Sequence, residues 1–161
     1  MLGSSDRILV ATDFSPDGDE AVACGRDLAR RFGVEALVLH VRREAVAVAP
    51  APDAPLPASL AACLATLRQG GLPARAILRG GDPATLILEI ARRERASLIV
   101  LGAHGEASTP GLLLGSVADR VVRRASVPLL VVRRNESVAG TEQPGRGGGG
   151  KPDRAEAQSG A

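Results

Sequence analysis

SLIVLGAHG at residues 97–105, followed after nine further residues by GSVADRVVRR at 115–124, is the stretch from which the architecture can be read. Residues 97–102 form an unbroken Leu/Ile/Val run without alternation. Such a run suits a strand covered on both faces, and strands of that kind occur in parallel sheets. Gly102 ends it. Gly115 and Ser116 then open a segment in which Val117, Val121 and Val122 fall at helical spacing. Arg120, Arg123 and Arg124 gather in its last turns, where cations complement the helix dipole. A buried strand, a glycine-bearing turn and a helix make the second half of a βαβ unit.

Working outward, apolar runs at 7–12 (RILVAT), 34–41 (VEALVLHV) and 127–132 (VPLLVV) read as further strands, with a weaker one at 74–79 (ARAILR). Between them, helical period predicts helices over 17–32, 58–69 and 82–95. Gly33 supplies a stop for the first, and Asp82 with Pro83 a cap and first-turn pair for the third. Strands and helices of these lengths in alternation predict an α/β fold: five parallel strands joined by right-handed crossovers, with helices on both faces.

The sequence divides into a folded domain over residues 1–134 and a disordered tail over 135–161, where Gly, Pro and polar residues replace the apolar pattern. Residues 45–57 (AVAVAPAPDAPLP) read as an extended connection after the second strand. Within the tail, Gly145, Gly150 and Lys151 imitate a phosphate-binding loop. Pro152 stands where that loop needs Ser or Thr, and no strand precedes it.

Composition removes several classes of function. Of 161 residues only two are aromatic, Phe14 and Phe32, which leaves no platform for stacking single-stranded nucleic acid. A net charge of +2 gives no basic surface for nucleic acid or membrane. No apolar run approaches the ~20 residues of a spanning helix. No signal peptide is visible at the start, and the expected compartment is the cytoplasm. Lys151 is the one lysine among the 20 basic residues, so the folded part lacks a catalytic lysine. Cys24 and Cys63 are expected to be small buried thiols, and His40, inside an apolar strand, a satisfied core residue.

The candidate site follows from the turn after the fourth strand. Gly102 and Gly105 permit positive φ and let a ligand approach bare backbone. The helix opening at Gly115-Ser116 offers free N–H groups, a positive dipole end and a hydroxyl, together a cradle for phosphate. In open α/β sheets ligands sit outside the carboxyl ends of strands where the strand order reverses. If strands 1 and 4 are neighbours, Asp13 in the loop after strand 1 faces the Gly102 loop and can accept from ribose hydroxyls. Val41, ending strand 2, can offer backbone groups to a base. His104, between two glycines, is a candidate for contact with phosphate.

These residues carry a resemblance. Gly102, Gly105, Gly115 and Ser116 fill the pattern G-x2-G-x9-G-[S/T] without a gap. ILVATDFSPDGDEAV near the start and LLLGSVADRVVRRASVPLLVV near residue 132 accompany it. Over residues 7–133 the chain resembles the universal stress protein family, specifically its ATP-binding branch. The resemblance implies a Rossmann-like open sheet of order 3-2-1-4-5, with ATP between the loops after strands 1 and 4. It implies Asp13 at the ribose, Ala11 and Val41 framing adenine, and Gly102, Gly105, Gly115 and Ser116 at the phosphates with Mg2+ or Mn2+. It further implies a homodimer formed through the last strand, residues 127–132. The expected function is that of an ATP-binding stress-response or regulatory protein. No paired carboxylates or general base stand beside the phosphate loop, so at most slow hydrolysis or autophosphorylation is expected, and no metal ligands are assigned. A nucleotide-free dimeric interaction module of the same family is the alternative. The chain departs from the pattern at Glu106, whose charge would repel phosphate unless it faces solvent or a metal ion.

Overall fold

In the computed structural model, residues 6–43, 55–106, 108 and 113–134 are described. The expected tail at 135–161 and most of the 45–57 connection lie outside them. The element order is β1 (Arg7–Ala11), α1 (Pro16–Phe32), β2 (Glu35–Arg42), α2 (Ala58–Arg68), a short 3-10 turn (Gln69–Gly71), β3 (Ala74–Gly80), α3 (Pro83–Arg93), β4 (Ala96–Gly102), α4 (Ser116–Arg124) and β5 (Leu129–Val132). All five strands pair in parallel in the order β3-β2-β1-β4-β5. Each expected strand and helix is present, with ends shifted by one or two residues. The last strand is four residues long, Val127 and Pro128 preceding it.

The strands lack alternation because both faces are covered. Ile8 and Val10 of β1 join Val38, α1 residues Ala21, Val22 and Ala29, and α2 residues Leu60, Leu64 and Leu67 in one core layer. Leu9 and Ala11 point the other way, into a layer with Leu37, Leu39, Ile99 and Leu101, closed by Ile87 and Ile90 of α3 and Val121 of α4. α1 approaches β1 through Gly25: a Cβ there would fall well under 3.0 Å from the buried Val10 side chain.

Local chemistry sets the helix ends. Ser15 caps α1, its hydroxyl accepting from the Gly18 N–H at 3.2 Å, with Pro16 at the first helical position and Asp17 and Asp19 in the first turn. Gly33 closes α1 at φ 65°, ψ 36°, a left-handed conformation suited to glycine. Asp82 caps α3 by accepting from the Thr85 N–H at 2.9 Å. α4 differs: its N-cap is Gly115, and no side chain caps it. At the amino ends of the strands, Glu35 accepts from Arg7 at 2.8 Å and Arg75 at 2.7 Å, and Arg75 also reaches Glu94 at 3.1 Å.

Candidate nucleotide cleft

β1 leads back to β2 on one side and lies against β4 on the other, so the strand order reverses between β1 and β4. Loops leaving their carboxyl ends diverge over opposite faces there and leave a crevice. A cleft of about 760 Å³ opens at that point. Ala11, Asp13, Val41, Gly102, His104, Gly105, Gly115 and Ser116, the residues singled out from sequence, all line it. Leu39, Pro83 and Ile87 give it an apolar side, while Arg42 and Arg43 border it at the end of β2.

The loop after β1 is tightly organised. Phe14 is left-handed at φ 65°, unusual for an aromatic residue. Its N–H donates to the Thr12 hydroxyl at 3.0 Å, and its ring lies 4.3 Å from that of His40. His40 Nδ1 is 2.9 Å from the Thr12 carbonyl, which only accepts, so Nδ1 carries the proton. The expectation of a core histidine is thereby corrected: His40 is satisfied but half-buried at the cleft, one residue past the end of the β1–β2 pairing and still paired with β3.

Asp13 bridges the two loops. One carboxylate oxygen accepts from the Ser15 N–H at 3.1 Å and the other from the Glu106 N–H at 2.9 Å. Glu106 is exposed, so its charge faces solvent at the cleft rim. The Gly105 N–H donates to the Ser108 hydroxyl at 2.8 Å, and the Ser108 N–H returns to the Gly105 carbonyl at 3.0 Å. Ser108, bland in the sequence, is half-buried and lines the cleft.

The reason for the glycines differs from the sequence expectation. None of Gly102, Gly105 and Gly115 adopts positive φ; the positive-φ glycines among the described residues are Gly33, Gly70, Gly71 and Gly81. Backbone packing demands glycine at Gly102, whereas at Gly105 and Gly115 a Cβ would crowd polar side-chain ends. A Cβ at Gly102 would stand 2.8 Å from the Asp17 carbonyl carbon and 2.9 Å from the Gly18 nitrogen, both backbone atoms of α1. At Gly105 it would meet the Asp13 carboxylate at 2.5 Å, and at Gly115 the Ser108 hydroxyl at 2.7 Å. The Gly115 N–H itself donates to the Ala103 carbonyl at 2.7 Å, which folds the loop back and aims the start of α4 at the cleft.

Sequence reasoning missed Asp17. Its carboxylate accepts from the His104 N–H at 3.0 Å, from His104 Nδ1 at 3.1 Å and from the Arg134 N–H at 2.8 Å. Burial pushes its pKa up, but hydrogen bonds from Arg134 and His104 outweigh burial and hold it below the ordinary carboxylate value. An aspartate in a first helical turn looks like dipole complementation, and no local signal reports partners at residues 104 and 134. Cys24 and Cys63 are half-buried, not fully buried as expected; burial pushes both thiols up, which suppresses the reactive thiolate.

Comparison with known proteins places this architecture. Universal stress protein MJ0531 of Methanocaldococcus jannaschii is 30% identical over 143 residues, spanning 80% of this chain and 82% of that protein. Universal stress protein Rv2005c of Mycobacterium tuberculosis is 33% identical over 137 residues, of which this chain spans 45% of the length. The solved structure of M. jannaschii MJ0577 superposes with a TM-score of 0.69 at 27% identity, covering 83% of this chain and 99% of that one. An Archaeoglobus fulgidus universal stress protein in complex with dAMP shares the fold at a TM-score of 0.60 and 22% identity, over 79% and 97% of the two chains. The family model for universal stress proteins matches residues 4–133. With sheet order, cleft position and relatives in agreement, the chain belongs to the universal stress protein family.

Proposed function

We propose that the cleft binds ATP, and that the protein acts in the cytoplasm as a homodimeric stress-response regulator whose state follows the bound nucleotide. The observation that carries this reading is the convergence of the Gly102–Gly105 turn, the uncapped start of α4 and the Asp13 carboxylate on one cleft at the switch point. Backbone N–H groups and the positive end of α4 would hold the phosphates, with Ser116 adding a hydroxyl. Asp13 would accept from the ribose, and Ala11 and Val41 would frame the base with aliphatic surface. The A. fulgidus relative in complex with dAMP supports nucleotide binding in general. Among the described residues no group of three or more His, Cys, Asp or Glu could hold a metal ion. Mg2+ or Mn2+ would enter with the nucleotide, its ligands mostly phosphate oxygens and water. No helix among the described residues is long and apolar enough to cross a membrane.

Dimerisation through the last strand is part of the same proposal. Among the described residues β5 pairs with β4 alone, which leaves its outer edge open to another strand, and Leu130 is exposed beside it.

One observation favours the nucleotide-free reading: the Gly105 and Glu106 N–H groups already have internal acceptors, Ser108 and Asp13. Titration calorimetry with Mg-ATP separates the two. Binding heat is expected for the wild type and a loss of at least ~10-fold in affinity for Gly115→Val, whose side chain would displace Ser108 and the Ala103 carbonyl. No heat and no thermal shift with the folded wild type would refute ATP binding, and native mass spectrometry would identify any nucleotide that co-purifies.

A further inference from the structure

We infer that Asp17 is the positioning residue of the nucleotide loop, and that through it occupancy of the cleft is read at the point where the chain leaves β5. This rests on the nucleotide reading above and adds a regulatory connection to it.

Three contacts carry it. One carboxylate oxygen of Asp17 holds both the main chain and the ring of His104, a residue of the cleft lining, at 3.0 and 3.1 Å. The other oxygen accepts from the N–H of Arg134, at 2.8 Å and 117 residues away in sequence. A carboxylate oxygen only accepts, so His104 Nδ1 bears its proton toward Asp17 and the ring orientation is set from α1. Asp17 is only 13% exposed on its side chain, which shields these bonds from water.

The carboxylate cannot easily move, because its own backbone is seated against β4. The space a side chain would take at Gly102 is filled by the Asp17 carbonyl carbon and the Gly18 nitrogen. α1 therefore delivers Asp17 to a fixed point between the β4–α4 loop and the end of β5. Two further bonds join the same pieces. The Ala103 N–H donates to the Val132 carbonyl at 2.7 Å, and the Arg133 guanidinium donates to the Leu113 carbonyl just ahead of Gly115. Val132 at the end of β5 and the two residues after it are thus tied to the cleft loop at three points, and among the described residues Asp17 contacts both sides through one side chain. A ligand that holds His104 and its neighbours in place also holds the acceptor of the Arg134 amide. By linkage, whatever loosens Arg134 must weaken the ligand by the same factor.

The test measures hydrogen exchange of the Arg134 amide by NMR in the full chain, with and without saturating Mg-ATP. Binding is expected to slow this exchange by about threefold to tenfold, in the range of ordinary coupling between sites. In Asp17→Asn the ligand-dependent change should vanish, while amides of β1 keep their protection and ATP binds several-fold more weakly. Arg134→Pro serves as an independent variant, since it removes the donor while leaving every residue of α1 and of the cleft lining unchanged. It should weaken Mg-ATP by about the factor by which Mg-ATP slows the exchange in the wild type, threefold to tenfold, a remote effect that a purely structural Asp17 would not produce. Binding of Mg-ATP with unchanged Arg134 exchange, or an unchanged affinity in Arg134→Pro, overturns the inference alone. Absence of any Mg-ATP binding by the folded wild type overturns the nucleotide reading and this inference with it.

Discussion

Gly102→Ala asks whether the first glycine of the loop exists for the ligand or for the fold. The added methyl would stand 2.8 Å from the Asp17 carbonyl carbon and 2.9 Å from both the Asp17 Cβ and the Gly18 nitrogen. Two of these are backbone atoms in the capped first turn of α1, so no rotamer change relieves the overlap; the helix must shift. Overfilling a packed site costs ~1–3 kcal/mol. Replacing glycine by alanine within a strand returns ~0.5–1 kcal/mol of backbone entropy. Because relief requires moving an element, the cost falls toward the upper end, for a net loss of about 2 kcal/mol. With a urea slope of ~2 kcal/mol per molar, the midpoint should drop by about 1 M at constant slope. The chain has no Trp or Tyr, so far-UV circular dichroism is the suitable probe, recorded without nucleotide. A midpoint within ~0.3 M of wild type combined with loss of ATP binding would refute the packing argument, because the methyl would then obstruct only a ligand.

Three further outcomes are expected. Gly25→Ala should destabilise by ~1–3 kcal/mol despite the better helix propensity of alanine, through collision with Val10; Val10→Ala in the same chain should cost less than the two single changes summed, and an additive double-mutant cycle in urea would count against that packing. Glu35→Gln should cost about 1 kcal/mol at pH 7, the paired arginines being partly exposed. Burial raises the Glu35 pKa, but hydrogen bonds from Arg75 and Arg7 outweigh it and lower it below 4.5, so the wild-type advantage is present above that pH and disappears as pH falls through the lowered value. Unfolding curves in which the gap stays constant down to pH 3 would exclude this pairing as its source. Leu130→Glu at the β5 edge should shift the protein to monomer in sedimentation velocity; a dimer as tight as wild type would place the interface elsewhere.

How far the cleft was legible depended on whether each residue's reason lies nearby in the chain. Gly102, Gly105, Gly115 and Ser116 could be found because a buried run, a glycine turn and a helix start are adjacent in sequence. Their physical reason could not be found that way. Gly102 is small because α1 crosses it, a fact belonging to residues 17 and 18, and the expected positive φ does not occur. His40 reads as core from its apolar neighbours, yet β2 runs past its pairing with β1 there and the ring lies beside Phe14 at the cleft. Ser108 carries no signal in the sequence because its partner, the Gly105 N–H, becomes an available donor only once the loop turns back.

By itself the sequence determined the α/β class, the alternation of elements and the helix ends, since period, caps and unbroken Val/Ile/Leu runs act over a few residues. It also limited the aromatic rings available to the fold to two phenylalanines and two histidines. Tertiary structure decided what depends on strands meeting out of order. Setting β1 between β2 and β4 opens the cleft, lays Asp13 against the Glu106 N–H, and brings Asp17 to His104 and Arg134, 87 and 117 residues away. Contacts at such separations are set by crossover topology and packing, which leave no periodic trace in the chain.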